Sequence, residues 1–143
     1  MLKFALIGCG RIAERHSTLL GTNQIKNAKL IAVCDISLQK AEKIASKFNI
    51  SAYSDVNEML KSETIDVAVV LTPSGVHAEN VINLSNKVKY IIVEKPLALN
   101  ILDAEKMINE CNKKDVKLFV VKQNRFNLPV IKLKETLDKG KFG

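Results

Sequence analysis

Short unbroken apolar runs recur along the chain, each followed by a stretch whose apolar residues fall at helical spacing. Continuous runs mark strands buried on both faces, and the i, i+3, i+4 pattern marks amphipathic helices. Strands are predicted over 3–8, 29–34, a short 51–53, 66–71, 89–93 and 117–121. The first helix runs from Arg11 to about Leu20, with Ile12, His16, Leu19 and Leu20 inward and Gly21-Thr22-Asn23 as its stop. Ser37 is the expected cap of a helix through Phe48 with Ala41, Ile44, Ala45 and Phe48 on one face, and Ser54 of a short helix holding Val56, Met59 and Leu60. Thr72-Pro73-Ser74-Gly75 is a loop before a helix over about 77–84. Asn100 caps a helix to about Asn112 with Ala104, Met107, Ile108 and Cys111 inward, and Pro129 opens a last helix ending near Asp138.

Strands alternating with helices build parallel βαβ units, and right-handed crossovers wind them into an α/β doubly wound parallel sheet. Six strands with a short third fit the Rossmann order 3-2-1-4-5-6, in which ligands sit beyond the carboxyl ends of the strands, at the switch between the first and fourth.

Composition narrows the picture. The 143 residues suit about one domain, and 47% apolar with 26% charged residues is ordinary for a globular protein. The net charge of +7 comes from lysines spread along the whole chain, with no basic block and few aromatics, which argues against a nucleic-acid surface. No apolar run approaches the ~20 residues of a membrane span, and the apolar stretch before Cys9 is too short for a secretory leader. Cys9, Cys34 and Cys111 are scattered, with no C-x-x-C pair, which points to buried thiols in a reducing cytoplasm and to no metal centre.

The candidate chemistry begins at Gly8-Cys9-Gly10-Arg11-Ile12-Ala13, a G-x-G-x-x-A turn between a strand and a helix. Gly8 permits the tight turn, Gly10 lets an anion approach the backbone, and Ala13 lets helix and strand lie close. The free N–H groups of the first helical turn then face a phosphate. Asp35 ends the second strand, 22 residues after Ala13, where a carboxylate accepts from an adenosine ribose and repels a 2′-phosphate. With Ile36 beside it rather than an arginine, the cofactor expected is NAD, not NADP.

Thr72, Ser74 and His77 lie across the switch point, where small polar groups can line the cofactor groove. His16 reads as a packing or solvent contact. Glu94-Lys95-Pro96 ends the fifth strand on the same rim; Lys95 there can donate to a ribose or substrate hydroxyl or help move a proton, or can simply pair with Glu94.

These segments, in this order and spacing, resemble the nucleotide-binding half of the glucose–fructose oxidoreductase/inositol dehydrogenase (Gfo/Idh/MocA) family, over the whole chain. The resemblance implies an NAD-dependent oxidoreductase. It makes Lys95 catalytic and substrate-contacting, and gives Gly8, Gly10, Arg11, Ile12, Asp35, Thr72, Ser74, His77, Glu94, Lys95 and Gln123 to the cofactor. Asn124 and Arg125 would meet an anionic substrate. The segment Val120 to Asn127 looks most like the branch that oxidises the 3-hydroxyl of UDP-N-acetylglucosaminuronic acid for surface polysaccharides.

Family members are more than twice as long and carry a second domain with a catalytic histidine. The expectation is therefore an NAD-binding domain over 1–127 and a junction helix over 128–143, with Gly140 to Gly143 leading into a substrate domain. Such a fragment would bind NAD and turn over nothing; the longer protein would be a homo-oligomer acting on a small sugar substrate. The alternatives are an NAD-sensing regulatory domain or a non-catalytic relative.

Overall fold

The computed structural model describes residues 1–141. Its first strand, β1 (Leu2–Ile7), is central because Ala5, Leu6 and Ile7 have no polar face to offer water. It pairs in parallel with β2 (Ala28–Cys34) and with β4 (Val67–Val70), and β3 (Ser51–Tyr53) extends the β2 side. Beyond β4 come β5 (Tyr90–Val93) and β6 (Lys117–Val120). The sheet has six strands in the order β3-β2-β1-β4-β5-β6, as the alternating pattern predicts.

The side-chain alternation of β1 divides the core. Leu6 joins Val33 and Val69 against α1 (Arg11–Gly21) and α2 (Leu38–Phe48) through Ala13, Leu20, Ala41, Ile44 and Ala45. Ala5 and Ile7 face the other layer: α3 (Val56–Ser62), α4 (His77–Leu84) and α5 (Ile101–Lys113), represented by Met59, Val81, Leu84, Met107 and Cys111. Truncating a fully buried residue such as Leu6 or Met107 to alanine removes about 2–5 kcal/mol. Among the described residues no helix is long and apolar enough to cross a membrane.

Several expectations shift at the level of single residues. The buried face of α1 is Ala13, Ser17 and Leu20, while Ile12 is exposed. Small side chains let this helix approach the sheet, and Gly21 abuts Phe48 of α2. Asp55, not Ser54, caps α3, its carboxylate accepting from the N–H groups of Asn57 and Glu58. Ser37 precedes α2 without a side-chain cap. Asn100 caps α5 as expected, but Ile108 faces outward. At the sheet edge, β6 alternates exposed and half-buried residues, and Phe119 is exposed. The last helix, α6 (Leu128–Asp138), buries no residue. The expected lead-in to a further strand ends in Phe142 and Gly143, outside the described residues.

Candidate active site

The carboxyl ends of β1, β2 and β4 meet at Gly8. Its φ of +97° is one that side chains rarely allow, and its N–H donates to Cys34 O at 2.8 Å. A Cβ there would stand 2.8 Å from the Leu71 carbonyl and the Thr72 nitrogen, so the fold itself requires glycine. Gly10 differs. Its φ is an ordinary −78°, and a Cβ would meet nothing within 4 Å. Packing gives no reason for glycine at 10; the space its missing side chain leaves is open to a ligand.

Gly10 also begins α1 without a side-chain cap. Among the described residues the N–H groups of Gly10, Arg11 and Ile12 have no acceptor, whereas that of Ala13 returns to Gly10 O at 3.0 Å. Unpartnered donors at the positive end of a helix, beside an open space, fit the pyrophosphate of a dinucleotide.

Asp35 completes this side. Its Oδ2 accepts from the Cys9 N–H at 2.8 Å and its Oδ1 from the Ser37 N–H at 2.9 Å. A carboxylate has about four acceptor sites, so lone pairs remain for ribose hydroxyls. A cleft of about 370 Å³ flanks the turn, lined by Gly10, Arg11, Lys40 and Lys43 among others. A shallow hollow of about 340 Å³ between 85–89 and 114–116 lies at the amino-terminal edge of β5 and β6, away from the turn. Burial, with Asp35's negative charge second, pushes the Cys9 thiol up to about 12. Burial, then the charges of Asp55 and Asp35, pushes Cys34 up to about 11. Both thiols are inert filling at neutral pH.

The opposite rim is built by β4 and β5. Thr72 and Ser74 are half-buried at the exit of β4. His77 does not line the groove: it is 1% exposed, with Nδ1 2.9 Å from Pro96 O and Nε2 2.9 Å from Thr72 O. Its ring bridges the two loops that form the rim.

Glu94 does not pair with the Lys95 ammonium. Its Oε1 accepts from His16 Nε2 at 3.1 Å and its Oε2 from the Lys95 backbone N–H at 3.1 Å. Lys95 itself is exposed, and among the described residues no carboxylate meets its Nζ. His16, read from sequence as packing or solvent contact, is thus joined to the Glu-Lys-Pro segment. The signal that could have found it is position: it lies on the helix opened by the glycine turn, and the chain has two histidines.

Gln123, Asn124 and Arg125 follow β6 in an exposed turn, held by Arg125 N–H to Lys122 O at 3.0 Å. This turn shares the carboxyl-end rim, yet β6 is separated from β4 by β5. Among the described residues no hydrogen bond joins Asn124 or Arg125 to Lys95.

The profile of the Gfo/Idh/MocA oxidoreductase family, NAD-binding Rossmann fold, matches residues 2–122. The myo-inositol 2-dehydrogenase of Thermotoga maritima is 33% identical over 143 residues, 99% of this chain and 42% of that protein. The WlbA dehydrogenase from Bordetella pertussis, solved with NADH and UDP-GlcNAcA, is 31% identical with a TM-score of 0.93, over 99% of this chain and 43% of that one. WlbA from Chromobacterium violaceum, solved with the same pair of ligands, is 34% identical with a TM-score of 0.93, over 99% and 41%. The chain spans less than half the length of these relatives.

Proposed function

Because the chain belongs to the Gfo/Idh/MocA oxidoreductases, as their NAD-binding Rossmann domain, we propose that it is the cofactor-holding part of a dehydrogenase for the 3-hydroxyl of a UDP-N-acetylglucosaminuronate-type sugar. The observation that carries the reading is the position of Lys95. It is exposed and, among the described residues, without an acid partner, at the end of β5 on the same edge of the sheet as the open turn at Gly10. Similarity to the two WlbA enzymes supports the choice of sugar.

In this reading the N–H groups of Gly10, Arg11 and Ile12 bind the pyrophosphate, and Asp35 takes the adenosine ribose. Gly8 shapes the turn. Thr72, Ser74, Glu94 and Gln123 form the rest of the cofactor rim, with His77 behind it. Lys95 donates to the reacting hydroxyl and lowers the cost of losing its proton. Asn124 and Arg125 meet the anionic part of the substrate. NAD would be held by the turn at residues 8–12 and by Asp35 and would supply the hydride acceptor for the carbinol carbon, the hydroxyl proton leaving to a general base.

Two measurements test this. NADH titrated into the 143-residue chain is expected to bind saturably, more tightly than NADPH, with no turnover of either sugar or polyol. Failure to bind overturns the cofactor assignment. The product of the complete reading frame is then assayed for NADH formation with UDP-N-acetylglucosaminuronic acid and with myo-inositol. Preference for the nucleotide sugar supports the proposal. Preference for myo-inositol favours the reading suggested by the 33% identical Thermotoga enzyme and overturns ours.

A further inference from the structure

We propose that the two histidines of the chain, His16 and His77, are positioning residues that bracket Lys95. The inference rests on the role given to Lys95 above. The lysine needs such support. Its side chain is exposed and long, and it leaves the sheet one residue after Glu94. An ammonium that must meet one hydroxyl gains little from proximity unless its backbone is fixed.

On the amino side, the fixing group is Glu94. Its N–H continues the sheet to Val70 O at 3.0 Å, and its carboxylate turns back onto the Lys95 N–H. Glu94 is only 9% exposed, so its charge has lost most of its water and depends on the donors it finds. His16 supplies one of these from α1, the helix that carries the free N–H groups of the phosphate turn.

On the carboxyl side, the His77 ring lies between two carbonyls, Nδ1 2.9 Å from that of Pro96, the residue after Lys95, and Nε2 2.9 Å from that of Thr72, and donates to one of them from whichever nitrogen carries the proton. A residue needed only to fill this space would be apolar, since burying an imidazole costs free energy unless its nitrogens are partnered. Each histidine therefore ties Lys95 to a different wall of the cofactor site: His16 to α1 and His77 to the exit of β4. The side-chain hydrogen bonds of both rings among the described residues go to these partners.

The test uses the 143-residue chain, with amide exchange by NMR and NADH affinity as separate readouts. In His16→Leu the Lys95 amide is expected to exchange at least about tenfold faster, and NADH to bind roughly tenfold more weakly. His16→Gln, which keeps a donor toward Glu94, recovers most of both. In a Lys95→Met background, His16→Leu costs no further affinity, because the histidine acts through the lysine. Losses that multiply instead overturn the proposal, as does a Lys95 amide unchanged in His16→Leu. His77→Gln is expected to shift the Leu97 amide and to show the same dependence on Lys95. Should it not fold, the His16 series decides alone. If Lys95→Met leaves NADH affinity unchanged, the cofactor role of Lys95 is wrong, and the amide readout still judges the bracket.

Discussion

Asp35 accepts a hydrogen bond from the N–H of Cys9 at 2.8 Å, fastening the end of β2 to the middle of the glycine turn. One carboxylate therefore shapes the turn and faces the expected ribose. Asp35→Ala removes the acceptor of two backbone N–H groups, a loss of about 1–3 kcal/mol. It is also expected to weaken NADH binding by more than tenfold while affecting NADPH less, because the charge that repels a 2′-phosphate is gone. Paired titrations with the two nucleotides check this; an unchanged NADPH-to-NADH ratio would contradict it.

The two glycines of the turn answer to different demands, and the same substitution separates them. Gly8→Ala forces a side chain at φ +97° into the backbone of Leu71 and Thr72, and should cost more than about 2 kcal/mol of stability. Gly10→Ala meets no atom within 4 Å and should alter stability by no more than about 0.5 kcal/mol. It should nonetheless abolish measurable NADH binding, because the methyl occupies the phosphate's approach. Urea denaturation and NADH fluorescence on the two variants give both halves of the comparison.

The buried thiols make an alkaline prediction. Folding lifts Cys9 from 9.0 to about 12 and Cys34 from 9.0 to about 11. The folded chain thus keeps protons that the unfolded chain releases. Their contribution is fully present below pH 9 and is lost as pH rises toward 11–12. Replacing both by alanine is expected to leave a shallower fall in stability between pH 9 and pH 11 than the parent shows. At pH 8, Cys9 in the native chain should react with a thiol reagent roughly a thousandfold more slowly than in urea.

Helix caps offer a test independent of cofactor. Asp55→Ala deprives Asn57 and Glu58 of their acceptor and should cost about 1 kcal/mol. Ser37→Ala removes no side-chain cap and should be close to neutral. Melting temperatures of the two variants, measured side by side, would reverse if the caps were the serines that the sequence suggests.

That last contrast shows where the sequence is readable. The order of the strands is legible because the runs at β1 and β4 are too apolar to sit anywhere but the sheet centre. Asp35 was legible because the length of one βα unit sets its distance from the turn. The inward face of α1 was not, because Ala13 and Ser17 sit against the sheet by being small, and small residues give a weak hydrophobic signal. The neighbours of His77 in sequence point it to the groove. The ring instead faces the Pro96 carbonyl, 19 residues further on, and no local pattern encodes that. His16 reads as a packing or solvent contact for the same reason: its partner Glu94 is 78 residues distant.

The strand order has one consequence for how the chain comes to life on a ribosome. β1 is made before β4, one of its neighbours in the sheet, so that edge stays open until about residue 70 has emerged. A side chain at Gly8 would meet the backbone of Leu71 and Thr72, and the Leu71 N–H donates to Ile7 O at 2.7 Å, so the turn gains one of its walls only when β4 has formed. Long-range pairing of this kind is slow relative to local structure, and an open edge invites wrong partners in the interval. Nucleotide binding favours molecules in which the sheet is complete. By mass action it draws the population toward them, stabilising the completed sheet in proportion to the logarithm of free cofactor.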